Sequence, residues 1–190
     1  MNYFFTADEH FGHANIIKYC NRPFKNTDEM DSVIIERHNE VVKEDDIVVH
    51  AGDFTMNKYE LFIQYFTRLN GSHIFIKGSH DKWMKEIKKS SNEWIKEDIF
   101  LNDKPLNNNY HEIWEKKING ERIIVCHYAM RTWPNSHYNS WQLFGHSHGR
   151  LEAIGKQLDI GVDTNNFYPY SFEQIEKIME KKEDNFNKIK

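Results

Sequence analysis

The sequence has few cysteines, no long hydrophobic run and no excess of positive charge, and each absence excludes a class of protein. Two cysteines, Cys20 and Cys126, are too few for a disulfide framework or a cysteine-rich zinc module. No apolar stretch approaches the roughly 18 residues of a membrane span. Residues 1–8 also lack the basic start of a signal peptide. We therefore expect a soluble cytoplasmic protein with no membrane partner.

Charge and length narrow the possibilities further. The chain has 190 residues, and its 25 lysines and arginines face 29 aspartates and glutamates, which gives a net charge of −4. This balance excludes a large basic surface for gripping nucleic acid. A nucleotide substrate stays open, because a bound metal supplies positive charge locally. We expect one domain over residues 1–190, with a frayed polar tail at residues 183–190.

Short apolar runs alternate with helical patterns in the first half of the sequence, and strands dominate the second half. Thr27 is predicted to cap one helix, and Ser171 opens the last one with Gln174 as its capping-box partner. Asn119-Gly120 predicts a two-residue hairpin. Further helices are predicted at residues 58–69 and 82–89, and strands at residues 3–7, 46–50, 73–77, 110–117, 122–127, 141–144 and 157–162. This order predicts an α/β sandwich of mixed sheets.

Histidine is abundant, with 11 residues, and several of them follow predicted strands together with aspartate. The segments are Asp8-Glu9-His10, Gly52-Asp53, Gly78-Ser79-His80-Asp81, His127 and Gly145-His146-Ser147-His148. Ligands of α/β sheets bind beyond the carboxyl ends of strands, so these side chains are expected to meet. They exceed the needs of one ion, and mixed nitrogen and oxygen ligands suit Mn, Fe, Zn, Co or Ni. A carboxylate can bridge two such ions at about 3.5–4 Å.

Together with His13, Asn15, Arg22 and Pro23, this series resembles the calcineurin-like metallophosphoesterases, in particular their short bacterial and phage members. The resemblance runs from Tyr3 to about Asp163. It implies a four-layer α/β/β/α sandwich of two mixed sheets. The two sheets would meet beneath a binuclear metal site. It also implies hydrolysis of a phosphodiester or phosphomonoester by a metal-bound hydroxide. The expected metals are two divalent ions, with Mn first and Fe, Zn, Ni or Co as alternatives. The expected substrate is a small nucleotide or another small phosphoester, with a nucleic-acid end also open.

The resemblance assigns roles residue by residue. Asp8, His10 and His148 would bind the first metal, Asp53 would bridge, and His127 and His146 would bind the second with Ser79. His80 would lie beside the scissile phosphate, with Asp81 fixing its orientation. The family has asparagine where this chain has Ser79, so we expect a weaker second metal site. The alternative is a non-catalytic interaction module that keeps the fold with a degraded metal site.

Three further residues are candidates for substrate binding. Arg22 and Arg131 can clamp a phosphate through two hydrogen bonds, or form surface ion pairs. His13 follows His10 on the same loop and either touches substrate or is a solvated loop residue. His50 is expected to be buried behind the ligands. The aromatic residues Trp133, Tyr138 and Trp141 either stack on a base of the substrate or pack in the core.

Overall fold

The computed structural model of the chain describes residues 1–56, 58–84, 99–101, 104–106 and 110–189. No helix among these residues is both long and apolar enough to cross a membrane. The helices are α1 (Ala14–Tyr19), α2 (Thr27–Val41), α3 (Tyr59–Phe66) and α4 (Phe172–Glu180). The strands are β1 (Tyr3–Thr6), β2 (Ile47–His50), β3 (Ser72–Ile76), β4 (Ile99–Leu101), β5 (Lys104–Leu106), β6 (Tyr110–His111), β7 (Ile113–Ile118), β8 (Glu121–Cys126), β9 (Trp141–Phe144), β10 (Gln157–Asp159) and β11 (Tyr170–Ser171).

Two mixed sheets form the body of the protein. The first sheet has the order β11-β1-β2-β3-β6, with β11 antiparallel to β1 and the other neighbours parallel. The second has the order β10-β9-β8-β7, with the β7–β8 pair antiparallel and the others parallel. Strands β4 and β5 pair separately. The predicted α/β sandwich of two mixed sheets is confirmed.

Successive side chains of the strands point to opposite faces of the first sheet and pack into a separate core on each face. Phe5 and Val49 join Leu143 and Val125 of the second sheet in the core between the sheets, to which α4 also contributes. On the other face, α1, α2 and α3 pack against Phe75 in an aromatic-rich core. Because neighbouring strand residues point to opposite faces, both faces of this sheet are buried, as parallel sheets require.

The loop after β8 covers the outer face of the second sheet. Gln142 is fully buried, and its amide contacts the backbone of Tyr128 and Met130. Trp133 and Trp141 are both buried, which decides their role in favour of packing.

Several local predictions are confirmed and others need correction. The hairpin at Asn119-Gly120 and the capping box of Ser171 are present. The cap of α2 is Asn26, whose side chain accepts a hydrogen bond from the Glu29 amide, so the predicted Thr27 cap was wrong by one residue. The helix predicted at residues 82–89 lies mostly outside the described residues, and nothing here tests it.

The C-terminal segment is docked on the protein, so the prediction of a frayed tail at residues 183–190 is wrong through residue 189. Asn185 is 3% exposed, and its amide donates to the carbonyls of Ser136 and Ser140. Its side-chain oxygen accepts from the Lys156 amide. The polar side chain of Asn185 therefore satisfies buried backbone groups, and composition alone does not reveal this use.

Candidate metal centre

The carboxyl ends of five strands meet at one rim of the sandwich. Strands β1, β2 and β3 run parallel in the first sheet, and β8 and β9 run parallel in the second. The segments that follow them carry the aspartates and histidines singled out in the sequence. Hydrogen bonds link these segments directly, such as those from the Asp8 amide to the Gly52 carbonyl and from the His146 amide to Asp8 Oδ2.

The predicted ligands form two adjoining groups. Asp8, His10 and His148 bring one ligand atom each to within 4.8 Å of one another, and so do Asp53, His127 and His146. A third group, His10, Asp53 and His80, meets the same distance limit and joins the other two. The first two groups contain the residues that the resemblance assigned to the first and second metals, whereas the third adds His80, which the resemblance did not assign as a ligand.

Five of these side chains stand on a strained backbone. Their φ angles are positive: 59° at Asp8, 54° at His10, 56° at Asp53, 68° at His146 and 49° at His148. Residues other than glycine adopt this left-handed region rarely, and when they do they cluster at functional sites. The conformation is held by neighbouring segments, for example by the hydrogen bond of 3.0 Å from the His10 amide to the Asp53 carbonyl.

Two glycines allow the segments to approach this closely. A Cβ atom at Gly78 would lie 2.2 Å from both the amide nitrogen and Oδ1 of Asp53. At Gly52, φ is +97° and a Cβ atom would lie 2.6 Å from Nδ1 of His127. Any larger residue would therefore displace a predicted ligand.

Hydrogen bonds fix the orientation of the histidine rings. Nδ1 of His127 lies 2.8 Å from the carbonyl oxygen of Ala51, which makes Nδ1 the protonated nitrogen and turns Nε2 toward Asp53. Nδ1 of His148 lies 2.7 Å from Oδ2 of Asp163. Metal-binding histidines are typically oriented in this way, with one nitrogen bonded to a carbonyl or carboxylate and the other free for the metal.

Three buried polar atoms at the rim have no hydrogen-bond partner among the described residues: Oδ1 of Asp8, Nε2 of His10 and Nε2 of His127. The His127 nitrogen lies 3.4 Å and the His10 nitrogen 3.8 Å from Oδ2 of Asp53. Leaving buried polar atoms unpaired is costly. All three are ligand atoms that divalent transition metals accept, so the residues present fit a metal centre.

Burial and neighbouring charges set the protonation of the group. Burial lowers the pKa of His10 to about 3 and raises that of Asp8 to about 7. Burial also opposes ionisation of Asp53, but the neighbouring His127 outweighs it and holds the pKa of Asp53 below its ordinary value of 3.8. Neutral His10 and ionised Asp53 are the forms that bind metal. For Asp8, a nearby cation would offset the cost of burying the carboxylate.

His80, Ser79 and His13 lie at the edge of the two groups. The His80 amide donates to Oδ1 of Asp53 over 2.8 Å, and its ring centroid lies 5.4 Å from that of His10. The Ser79 hydroxyl donates to Oδ2 of Asp53 over 2.9 Å. The His13 ring lies 5.3 Å from His10 and 6.0 Å from His80, so the structure brings this candidate to the rim.

Asp81 has a different role from the one predicted. Its carboxylate is 1% exposed and accepts hydrogen bonds from the amides of Asp53, Phe54 and Gly78 and from the Trp83 indole. These bonds tie the turn after β3 to the turn after β2. Asp81 therefore braces the backbone around Asp53, which corrects the prediction that it orients the His80 ring as part of the catalytic machinery.

The structure also corrects the prediction that Arg22 clamps substrate. Its side chain is fully buried, and its guanidinium donates twice to Asp163, to the carbonyls of Asp8 and Glu9, and to the sulfur of Met30. These contacts use all five of its N–H groups, so none is left for a phosphate. They also hold the backbone of the Asp8 loop from behind.

Arg131 does not point into the two groups. It is exposed, and its guanidinium lies 4.7 Å from the ring centroid of Phe186, in the docked C-terminal segment. This stacking contact gives Arg131 a packing role, and its predicted contact with phosphate has no support in the geometry.

Three acidic residues that support the site were missed in the sequence. Asp163 orients His148, and Asp159 accepts hydrogen bonds from the Ser147 hydroxyl and the Gly149 amide. Glu9 is buried, with Oε1 2.7 Å from Nδ1 of His50, which confirms the buried position expected for that histidine. The signal for Asp163 was available: it follows a predicted strand, as the recognised ligands do.

Comparison with known proteins shows a family and a fold. No protein-family model matches the chain. It is 30% identical to an uncharacterized protein of Methanocaldococcus jannaschii over 191 aligned positions, which cover 94% of this chain and 91% of that protein. The chain belongs to the family of this archaeal protein.

Two solved structures are similar to the chain. A protein of unknown function from Aquifex aeolicus superposes with a TM-score of 0.63 at 24% identity, over 93% of this chain and 98% of that one, which shows a common fold. A structure described as a novel archaeal phosphodiesterase gives a TM-score of 0.43 at 17% identity, over 85% of this chain and 82% of that one.

Proposed function

We propose that this protein is a metal-dependent phosphoesterase of the calcineurin-like type, built as a single domain. The observation that carries the proposal is the meeting of two ligand groups in which three buried atoms, Oδ1 of Asp8 and Nε2 of His10 and His127, lack a hydrogen-bond partner among the described residues. Asp8, His10 and His148 would hold one divalent ion, and Asp53, His127 and His146 the other, with Asp53 close enough to His10 to serve both. Mn is the metal we expect first.

Two bound divalent ions would neutralise the phosphate and make water a better nucleophile at neutral pH. The chain's own residues would hold that charge in a prepared arrangement, because the strained backbone and the fixed rings need no reorganisation when substrate arrives. His80, which is half-buried at the edge of the groups, would donate a proton to the departing oxygen. His13, whose ring lies 6.0 Å from that of His80, would contact the leaving group.

Hydrolysis of bis(p-nitrophenyl) phosphate across a Mn²⁺ titration tests the proposal. We expect metal-dependent release of p-nitrophenol and about two bound ions per chain by elemental analysis. Asp53→Asn should bind fewer ions and lose at least about 100-fold in kcat, since it removes charge shared by both groups. His137→Asn, which alters an exposed histidine on a 3-10 helix, is the matched control and should resemble the unmodified protein.

The residue at position 79 separates the enzyme from a non-catalytic module. The Ser79 hydroxyl donates to Asp53, and Ser79 lines the same cavity as His127 of the second group. Ser79→Asn supplies a longer carbonyl oxygen, and we expect it to raise the affinity for the second ion. A folded protein that binds one ion or none and hydrolyses neither diesters nor p-nitrophenyl phosphate, with serine or with asparagine at this position, would contradict the proposal and favour the module.

A further inference from the structure

A cavity of about 450 Å³ opens beside the second ligand group. It lies between the end of β3 and the strands β7 and β8, so both sheets contribute to its walls. Its floor reaches Ser79 and His127, which places it next to the proposed reaction centre. Its lining residues include Ser79, His127, Tyr128, Ile113, Lys77 and Glu112. We refer to it as the Tyr128 pocket.

The Tyr128 pocket exposes apolar surface at a fixed position. Tyr128 is 48% exposed and Ile113 is 46% exposed. The Tyr128 ring lies 4.8 Å from the ring centroids of both His127 and His146, edge-on to each. Its position is therefore set by two proposed metal ligands. An aromatic ring held in this way beside a reaction centre provides a surface for stacking at little cost in side-chain entropy.

The charges of the pocket restrict what it can bind. Lys77 is the cation among its described lining residues, and its ammonium lies 3.8 Å from Oε1 of Glu112. The charges of the pair offset each other, so apart from the proposed ion at His127 the described lining offers no unpaired cation. A second phosphate group would need unpaired cationic donors, so the pocket suits an uncharged arm of the substrate.

The two flanks of the centre are also different from each other. His80 and His13 lie beside His10, on the side of the first group, whereas Ser79 and Tyr128 lie on the side of the second. A leaving group that takes its proton from His80 therefore departs on one flank. The arm of the substrate that stays on phosphorus faces the Tyr128 pocket on the other.

We propose that the Tyr128 pocket binds a planar, uncharged group, such as a nucleobase or another aromatic ring, carried by the retained arm of a phosphodiester. This inference rests on the proposed function and names the substrate class: diesters with one flat arm. Stacking on the exposed tyrosine ring would supply the selectivity, because every base presents a π-face.

Two diesters with the same leaving group test the inference. Thymidine 5′-(p-nitrophenyl phosphate) has a flat retained arm, and methyl p-nitrophenyl phosphate has none. For each we measure kcat/KM with the Mn²⁺-loaded protein. Tyr128→Ala should lower the ratio of the thymidine value to the methyl value by about 5- to 150-fold, the range for loss of one stacked base. Tyr128→Phe should keep the ratio, as should Tyr138→Ala, which removes an exposed tyrosine outside the pocket.

Binding provides a readout that does not depend on turnover. Calorimetric titration should show thymidine 5′-monophosphate binding more tightly than methyl phosphate, with the difference lost in Tyr128→Ala. If both diesters are hydrolysed but neither the kcat/KM ratio nor the binding difference changes in Tyr128→Ala, the inference is overturned and the phosphoesterase stands. If neither diester is hydrolysed but the binding difference depends on Tyr128, the pocket stands and the proposed reaction fails. If neither diester is hydrolysed and no binding difference depends on Tyr128, both the pocket and the proposed reaction are overturned.

Discussion

The buried pair of Arg22 and Asp163 gives the sharpest test of how the centre is supported. Asp163 is bonded on one side to Arg22 and on the other to His148. The Asp163→Asn variant keeps the shape of the side chain and removes its charge. It therefore leaves the fully buried guanidinium of Arg22 without its counter-ion and weakens the bond that orients a proposed metal ligand.

The expected loss of stability follows from the burial of the pair. Removing one partner of a buried ion pair costs about 3–5 kcal/mol, because the other charge remains buried. In a chain of this size, a loss of 1 kcal/mol lowers the melting temperature by about 2–4 °C. Asp163→Asn should therefore melt about 6–20 °C lower. Metal affinity should fall by about 10- to 100-fold, since the ring of His148 loses its charged partner.

The pH dependence has a definite sign. Burial opposes ionisation of Asp163, but His148 and Arg22 outweigh it and hold the pKa of Asp163 below its ordinary value of 3.8. A depressed carboxyl pKa stabilises the folded state above pH 3.8, and this contribution is lost as the pH falls toward the folded-state pKa. Asp163→Asn should abolish that part of the acid sensitivity.

A double-mutant cycle with Arg22→Met measures the coupling by urea unfolding in the presence of EDTA, which separates folding from metal binding. The double variant should be more stable than the sum of the single losses predicts, by at least about 1 kcal/mol, because it contains no uncompensated buried charge. Additivity of the two losses within about 0.5 kcal/mol would refute the reasoning.

Three further predictions concern the supports of the fold and site. Gly78→Ala should cost about 1–3 kcal/mol of folding stability and reduce Mn²⁺ binding in a calorimetric titration, because its Cβ would collide with Asp53. Gly120→Ala is the control: its Cβ meets nothing within 4 Å, so it should leave Mn²⁺ binding intact in the same titration. Burial raises the pKa of Asp31 to about 6, so its ionisation opposes folding, and stability should fall by about 3 kcal/mol as the pH rises from about 4 to about 6. The contribution of Asp31 to this slope should be absent in Asp31→Asn, and urea midpoints that follow the same pH profile in the variant and the unmodified protein would contradict the assignment. Asn185→Ala should cost about 1–3 kcal/mol, since it removes the acceptor of the buried Lys156 amide and two donors to the carbonyls of Ser136 and Ser140. A loss below about 0.5 kcal/mol would mean that the C-terminal segment contributes little to folding.

The ligand side chains were readable from the sequence because a simple topological rule applies to them. Parallel strands of one layer end at the same rim, so aspartates and histidines that follow such strands meet there. The rule worked for Asp8, Asp53, His127 and His148, and would have found Asp163 if it had been applied to the strand before it. The order of short apolar runs and helical patterns likewise predicted the strands and a mixed α/β sandwich, and the family resemblance implied its two sheets.

Residues whose role depends on their partners were not readable in the same way. An arginine close to the Asp8 loop in sequence has the chemistry of a phosphate clamp. Only the structure shows that all five N–H groups of Arg22 donate hydrogen bonds within the protein. Asp81 follows His80 directly, but its carboxylate turns toward backbone amides of another turn. Sequence proximity did not predict these contacts, because they join residues that only the fold brings together.

The sequence by itself determined the fold class and which residue types, aspartate and histidine, lie at the rim, because periodicity and residue type are local properties of the chain. The tertiary structure alone decided which polar groups support the site and which face solvent. A carboxylate, an arginine or an asparagine offers the same atoms wherever it stands, and hydrogen-bond partners from distant segments decide its use. The same holds for Tyr128. The sequence shows that the residue is a tyrosine, but its position between two histidines and an open cavity follows from the packing of two sheets.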